Sequence, residues 1–268
     1  MGTVTLNGIT VGYDDAGAGA NTLVLVHGHP FDRSMWQPQR DALSRRGWRV
    51  IAPDLRGYGE TTVVPGKTTL DVFAQDLAAL LDHVGIDRVV IGGLSMGGQI
   101  VMEFCRLYRE RVRGVVLAAT FPRAETDAGK QTRSATADRL LHEGMALYAE
   151  ELLPKMVATR AITEQPAVAA HAMRMMRAAP PAGSAAALRG RAERPSYEDT
   201  LAALTVPALI VVGDQDAFTT RADADQMRAL VRRSELVWMT GVGHMPNLER
   251  PDAFNAALAR FLDEVVSR

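Results

Sequence analysis

Short apolar runs, rich in β-branched residues and lacking polar alternation, recur along the chain at Thr22–Val26, Trp48–Ala52, Arg88–Gly92, Arg113–Ala119 and Pro207–Val212. Runs of this kind predict strands buried on both faces. Between them the apolar period lengthens. Thr68–Val84 carries Leu70, Phe73, Leu77, Leu80 and Leu81 along one helical face, and Gln99–Tyr108 carries Ile100, Val101, Phe104, Cys105 and Leu107. Asp32–Arg46, Arg221–Arg232 and Pro251–Val266 also read as helices, and Glu235–Met239 as the last strand. Strands alternating with helices predict an α/β fold, a mostly parallel sheet flanked by helices. At the start, Val4–Leu6 and Thr10–Tyr13 meet around Asn7-Gly8, a hairpin signal that predicts an antiparallel edge.

The pattern changes between Pro122 and Pro195, a stretch rich in Ala, Arg and Met and poor in strand formers. It predicts a helical cap, residues 122–195, inserted into a core formed by residues 1–121 and 196–268. Helical spacing is clearest around Leu140–Leu153 and Val168–Met176, and Ala178-Ala179-Pro180-Pro181 breaks the second of these. Met145, Met156, Met173, Met175 and Met176 serve either as packing between cap helices or as a pliable apolar wall for a substrate.

Composition narrows the class. The 268 residues are 47% hydrophobic and 23% charged, enough for one large domain. A net charge of −1 gives no support for a nucleic-acid partner or an acidic membrane surface. No apolar run reaches the length of a membrane span and no leader pattern opens the chain, so a cytoplasmic setting is the expectation. The single cysteine, Cys105, has no partner for an internal disulfide and falls on an apolar helix face.

Candidate chemistry centres on Gly93-Leu94-Ser95-Met96-Gly97, between a buried strand and a helix. Small residues two positions to either side allow a tight turn that lifts Ser95 Oγ off the sheet, as a nucleophile requires. The helix N-terminus favours developing negative charge, and the Met96 amide is placed to donate to an oxyanion. No cluster with metal-ligand spacing is apparent, and the chemistry needs no cofactor.

In this strand-turn-helix setting the GxSxG segment resembles the nucleophile elbow of the α/β-hydrolase superfamily, and the resemblance extends over nearly the whole core. It implies an α/β-hydrolase fold of about eight strands. His27-Gly28-His29-Pro30 is similar to the family's HGxP segment, which makes the His29 amide the second oxyanion donor and His27 a buried structural histidine. Asp54-Leu55-Arg56-Gly57-Tyr58-Gly59 matches a further signature, with Glu60 where a small serine is more usual; Asp54 is expected to pair with Arg56 and stabilise the turn. No carboxylate follows the Arg113–Ala119 strand before Glu125, so the acid lies later. In Gly213-Asp214-Gln215-Asp216 the family's acid corresponds to Asp216, leaving Asp214 to the loop, and the glycine-flanked His244 corresponds to the base. Phe31, Met145, Phe218 and Met245 are the candidate substrate-binding residues.

The order Ser95, Asp216, His244 is the one expected of this superfamily, and serine at the elbow argues against the aspartate-dependent dehalogenases and epoxide hydrolases. The resemblance implies hydrolysis of a small-molecule carboxylic ester. Lactone or enol-lactone hydrolysis and cofactor-free perhydrolysis stand as alternatives, and a ligand-binding protein of negligible turnover is the rival of another class. Oligomeric state is left open.

Overall fold

The computed structural model describes residues 2–267. Eight strands form one sheet: β1 (Gly2–Leu6), β2 (Ile9–Ala16), β3 (Asn21–Val26), β4 (Trp48–Pro53), β5 (Val89–Leu94), β6 (Val112–Ala118), β7 (Ala208–Gly213) and β8 (Ser234–Met239). Their spatial order is β1-β2-β4-β3-β5-β6-β7-β8, with β1 and β2 antiparallel to their neighbours and every other pairing parallel. The turn at Asn7 and Gly8, with φ of 48° and 75°, makes the predicted hairpin.

Helices α1 (Gln37–Ser44), α2 (Leu70–His83) and α3 (Met96–Leu107) connect the first strands. Between β6 and β7 come α4 (Asp127–Glu143), α5 (Ala146–Met156), α6 (Thr159–Glu164), α7 (Pro166–Ala178) and α8 (Pro181–Arg191), followed by a short helix, α9 (Glu198–Ala202), just before β7. The chain closes through α10 (Arg221–Leu230), α11 (Pro246–Glu249) and α12 (Pro251–Val266).

Alternation along the central strands splits the core in two. Val24, Val26, Ile91, Val115 and Ile210 face α2 and α3, where Phe73, Leu77, Ile100 and Phe104 cover them. Leu23, Leu25, Val90, Val116 and Leu209 face α1 and α12, against Leu43, Phe254, Leu258 and Phe261. Because both faces are covered, these strands carry apolar residues toward both layers of helices.

Several local expectations change. The helix after Ser95 begins at Met96 rather than Gln99, because Gly97 and Gly98 enter its first turn. Asp32–Arg46 divides into a 3-10 turn over Arg33–Trp36 and then α1, which starts with Pro38 in its first turn. The predicted helix around Leu140–Leu153 is two helices, α4 and α5, separated at Gly144, whose φ of 75° ends α4. Asp54 pairs with Arg33, while Arg56 reaches α2 and makes two hydrogen bonds of 2.8 Å to Asp76. Asp54 also accepts the Arg33 and Glu60 amides at 2.8 and 2.9 Å, so its role is to hold this loop. Cys105 is buried, and burial pushes its thiol up to about 12, the environment of an unreactive cysteine.

Candidate active site

Strands β3, β5, β7 and β8 end at one edge of the sheet, as the registers Val26↔Gly93, Leu94↔Ala118, Ala118↔Val211 and Gly213↔Met239 show. The chain runs outward from β3 to β4 on one side and to β5 on the other, and the crevice at such a switch point is where open α/β sheets bind ligands.

At the end of β5, Ser95 adopts φ 57° and ψ −115°, a conformation that costs a non-glycine residue about 1–3 kcal/mol. Neighbouring hydrogen bonds fix it there. Its amide donates to the Ala118 carbonyl at 2.9 Å, and its carbonyl accepts from Thr120 Oγ1 at 2.8 Å and from the Gln99 amide at 3.1 Å. The flanking glycines have a packing reason: a Cβ on Gly93 would overlap the Gly97 carbonyl, and one on Gly97 would overlap the Val26 and His27 carbonyls. The strand, the helix and the loop after β3 therefore touch backbone to backbone.

That loop turns through a cis His29-Pro30 bond. His27 is buried and structural: Nδ1 donates to the Gly28 carbonyl and Nε2 accepts the Leu55 amide, each at 2.9 Å, and burial lowers its pKa. The His29 ring lies between two tyrosines, with Nδ1 2.7 Å from Tyr58 Oη and Nε2 3.2 Å from Tyr148 Oη. Burial first, then the charges of Arg191 and Arg133, hold His29 well below the ordinary histidine pKa, so its ring is neutral. Among the described residues neither the His29 nor the Met96 amide donates to a protein acceptor, as two donors reserved for an oxyanion would be.

Asp216 and His244 meet beyond β7 and β8. His244 Nδ1 lies 2.8 and 2.9 Å from the two carboxylate oxygens of Asp216, and both side chains are almost wholly buried. Burial alone would raise the Asp216 carboxyl, but His244 and the amides of Phe218 and Thr219, at 2.8 and 3.1 Å, outweigh it and hold the pKa below the ordinary value. Asp214 accepts the Gly241 amide at 2.7 Å, bracing the loop that carries His244. A second brace is the buried Glu249, whose carboxylate accepts the amides of Gly243, Met245 and, from the segment between β6 and β7, Ala158.

Ser95, His29 and His244 line one cavity of about 180 Å³. Ser95 Oγ makes no hydrogen bond to His244 in this conformation, and contacts of this sort commonly tighten only when substrate is bound. Phe121, Leu152, Met156, Leu188 and Phe218 supply the apolar wall, and Tyr148, Arg133 and Arg191 the polar one. Phe218 also stands edge-on to the His244 ring at 4.8 Å between centroids.

Of the expected substrate-binding residues, only Phe218 lines this cavity; Phe31, Met145 and Met245 are packed into the core, at 1%, 4% and 0% exposure. Phe31 and Met245 sit one or two positions from His29 and His244 and turn into the core behind them, whereas Met145 packs at the start of α5. Among the methionines considered as a pliable wall, Met156 fills that position. Phe121, Tyr148, Leu152, Leu188, Arg133 and Arg191 join the wall without a local motif; for the two arginines the arginine-rich composition of residues 122–195 is the one sequence trace. Among the described residues no group of three or more His, Cys, Asp and Glu side chains could hold a metal ion, and no helix is long and apolar enough to cross a membrane.

Comparison with known proteins agrees with this architecture. A thermophilic esterase from Thermogutta terrifontis, solved with malate bound, shares 38% identity and superimposes with a TM-score of 0.94 over 98% of this chain and 97% of its own. The enol-lactonase from Burkholderia xenovorans LB400 shares 27% identity at a TM-score of 0.90, over 98% of this chain and all of that one. In sequence, 3-oxoadipate enol-lactonase 2 of Acinetobacter baylyi is 28% identical over 255 residues, 95% of this chain and 92% of the relative. Residues 23–257 match the model of the alpha/beta hydrolase family, and the chain therefore belongs to that family.

Proposed function

We propose that the protein is a serine hydrolase that cleaves carboxylic esters of short acyl chains through an acyl-enzyme on Ser95. The observation that carries this reading is the strained Ser95 turn, opening on the same cavity as a His244 whose Nδ1 is tied to Asp216 at 2.8 Å. With Nδ1 engaged as a donor, Nε2 is the ring nitrogen left to accept a proton. On this reading His244 takes the Ser95 hydroxyl proton as Oγ attacks the ester carbonyl, and the amides of His29 and Met96 hold the tetrahedral oxyanion. His244 then protonates the leaving alcohol, and activates water to release the acid.

Residues 122–195 act as a cap over the site, since Arg133, Tyr148, Leu152, Met156, Leu188 and Arg191 of this segment wall the cavity. Its volume, about 180 Å³, lies below the roughly 300–1,000 Å³ common for drug-sized ligands, which favours small acyl groups. The second reading is hydrolysis of a lactone or enol-lactone, favoured by the similarity along nearly the full length to enol-lactonases in both sequence and structure.

A panel of p-nitrophenyl esters from acetate to octanoate, assayed beside a set of lactones, tests both. The expected result is preference for acetyl to butyryl esters, with Ser95→Ala and His244→Ala each lowering kcat by about 10⁴–10⁶. Preference for lactones exchanges the two readings. Ester turnover undiminished in Ser95→Ala refutes both.

A further inference from the structure

The cavity has one feature that ester cleavage alone does not require. Three guanidinium groups, those of Arg133 on α4, Arg191 on α8 and Arg194 just beyond it, cluster around a single carboxylate. Glu125 is taken by two of them: it pairs with Arg133, and with Arg194 at 2.5 Å. Among the described residues Arg191 makes no salt bridge to a carboxylate. Its Nε donates to Gln99 Oε1 at 2.7 Å, and among the described residues neither terminal nitrogen of its fork meets a protein acceptor. Gln99 is itself fully buried, one helical turn beyond Ser95, and its amide nitrogen is also without an acceptor. Arg191 and Arg133 both reach the cavity that Ser95 lines.

We propose that Arg191, supported by Arg133, is a carboxylate-binding subsite, and that the substrate is an ester or lactone carrying a free carboxylate. The proposal deepens the serine-hydrolase reading and rests on it for the identity of the bond cleaved. A guanidinium fork with both outer nitrogens free matches a planar carboxylate in two parallel hydrogen bonds, and the small cavity suits a carboxylate better than a bulkier phosphoryl group. The apolar side of the wall then takes the carbon chain between the carboxylate and the scissile carbonyl. Burial, followed by repulsion from Arg133 and Arg194, makes the charged form of Arg191 costly in the empty site, as the strong lowering of its pKa expresses. An arginine keeps its proton even so, and a bound anion offsets that cost.

Two measurements separate this proposal from the reading beneath it. The first compares p-nitrophenyl hemiglutarate with p-nitrophenyl valerate, which share a leaving group and differ mainly in the terminal carboxylate. The wild type is expected to favour the hemiglutarate at least 10-fold in kcat/KM, with the preference shrinking as NaCl rises. Arg191→Gln should lower the hemiglutarate-to-valerate ratio by about 10–100-fold, and Arg191→Lys, which keeps the charge but not the fork, by less. The second titrates monomethyl glutarate into Ser95→Ala by calorimetry, where no turnover is needed. Binding lost in Ser95→Ala/Arg191→Gln supports the subsite even if the wild type hydrolyses no ester tested. Equal handling of the two esters by the wild type, or a ratio unmoved by Arg191→Gln, overturns it. Should Arg191→Gln fail to fold, Arg133→Gln and the salt dependence of the ratio decide in the same directions.

Discussion

At the residue scale, the candidate site depends on backbone that only a few residue types tolerate. Gly97 sits where the first turn of α3 meets the carbonyls of Val26 and His27, so Gly97→Ala forces overlap with backbone that no side-chain rotation relieves. Such crowding costs about 1–3 kcal/mol. Thermal unfolding of Gly97→Ala is expected several degrees below the wild type, with loss of hydrolase activity because the His29 loop is displaced; an unchanged midpoint would refute the close packing at Gly97. Asp216 gives a pH dependence. Its carboxyl is held below the ordinary value of about 3.9, so the native state releases this proton more readily than the unfolded chain. The resulting stability is complete above about pH 4 and is lost as pH falls through the lower folded-state pKa. Denaturant unfolding of Asp216→Asn should accordingly show a shallower fall in stability below pH 4 than the wild type, and parallel curves would refute the linkage.

At the element scale, legibility followed how each segment buries itself. Strands covered on both faces announce themselves as unbroken apolar runs, and α2, α3 and α12 show a plain helical stripe; α12 occupies the predicted span, Pro251–Val266. Helices α4 and α8 were hidden because they pack together and against the core through small residues. In α8 two glycines are close-approach sites: Gly183 touches the backbone of Gly57, and Gly190 that of Thr68. For α4 only Ala137 and Leu140 are buried, so its sequence carries almost no periodic signal. The link between segments that the sequence did not reveal at all is Glu249, which ties the His244 loop to Ala158 across 91 residues. Replacing this buried carboxylate by Gln in Glu249→Gln sets an amide donor against backbone N–H donors. A loss of about 1–3 kcal/mol in denaturant unfolding is expected, together with a lower kcat from a loosened His244. Wild-type values for both would show that Glu249 is not a brace.

At the scale of the whole molecule, chain order and sheet order differ in a way that assembles the site. Ser95, Asp216 and His244 are separated by 121 and 28 residues in the chain, yet β5, β7 and β8 lie within four adjacent strands whose ends are in register. The elbow, the GxxD segment and the glycine-flanked histidine could be read from sequence because each is a local turn with its own residue requirements. The cavity wall could not, since it is made by helices whose docking is decided by tertiary contact between small residues, and its two arginines carry no local signature. The proposed chemistry passes through a covalent acyl intermediate on Ser95. Rapid acid quenching during turnover of p-nitrophenyl acetate, followed by mass spectrometry of proteolytic peptides, tests it most directly. An acetyl group is expected on Ser95 in the wild type and none in Ser95→Ala. Acetylation of a different residue on the turnover pathway, or turnover that persists at the wild-type rate in Ser95→Ala, would contradict this chemistry.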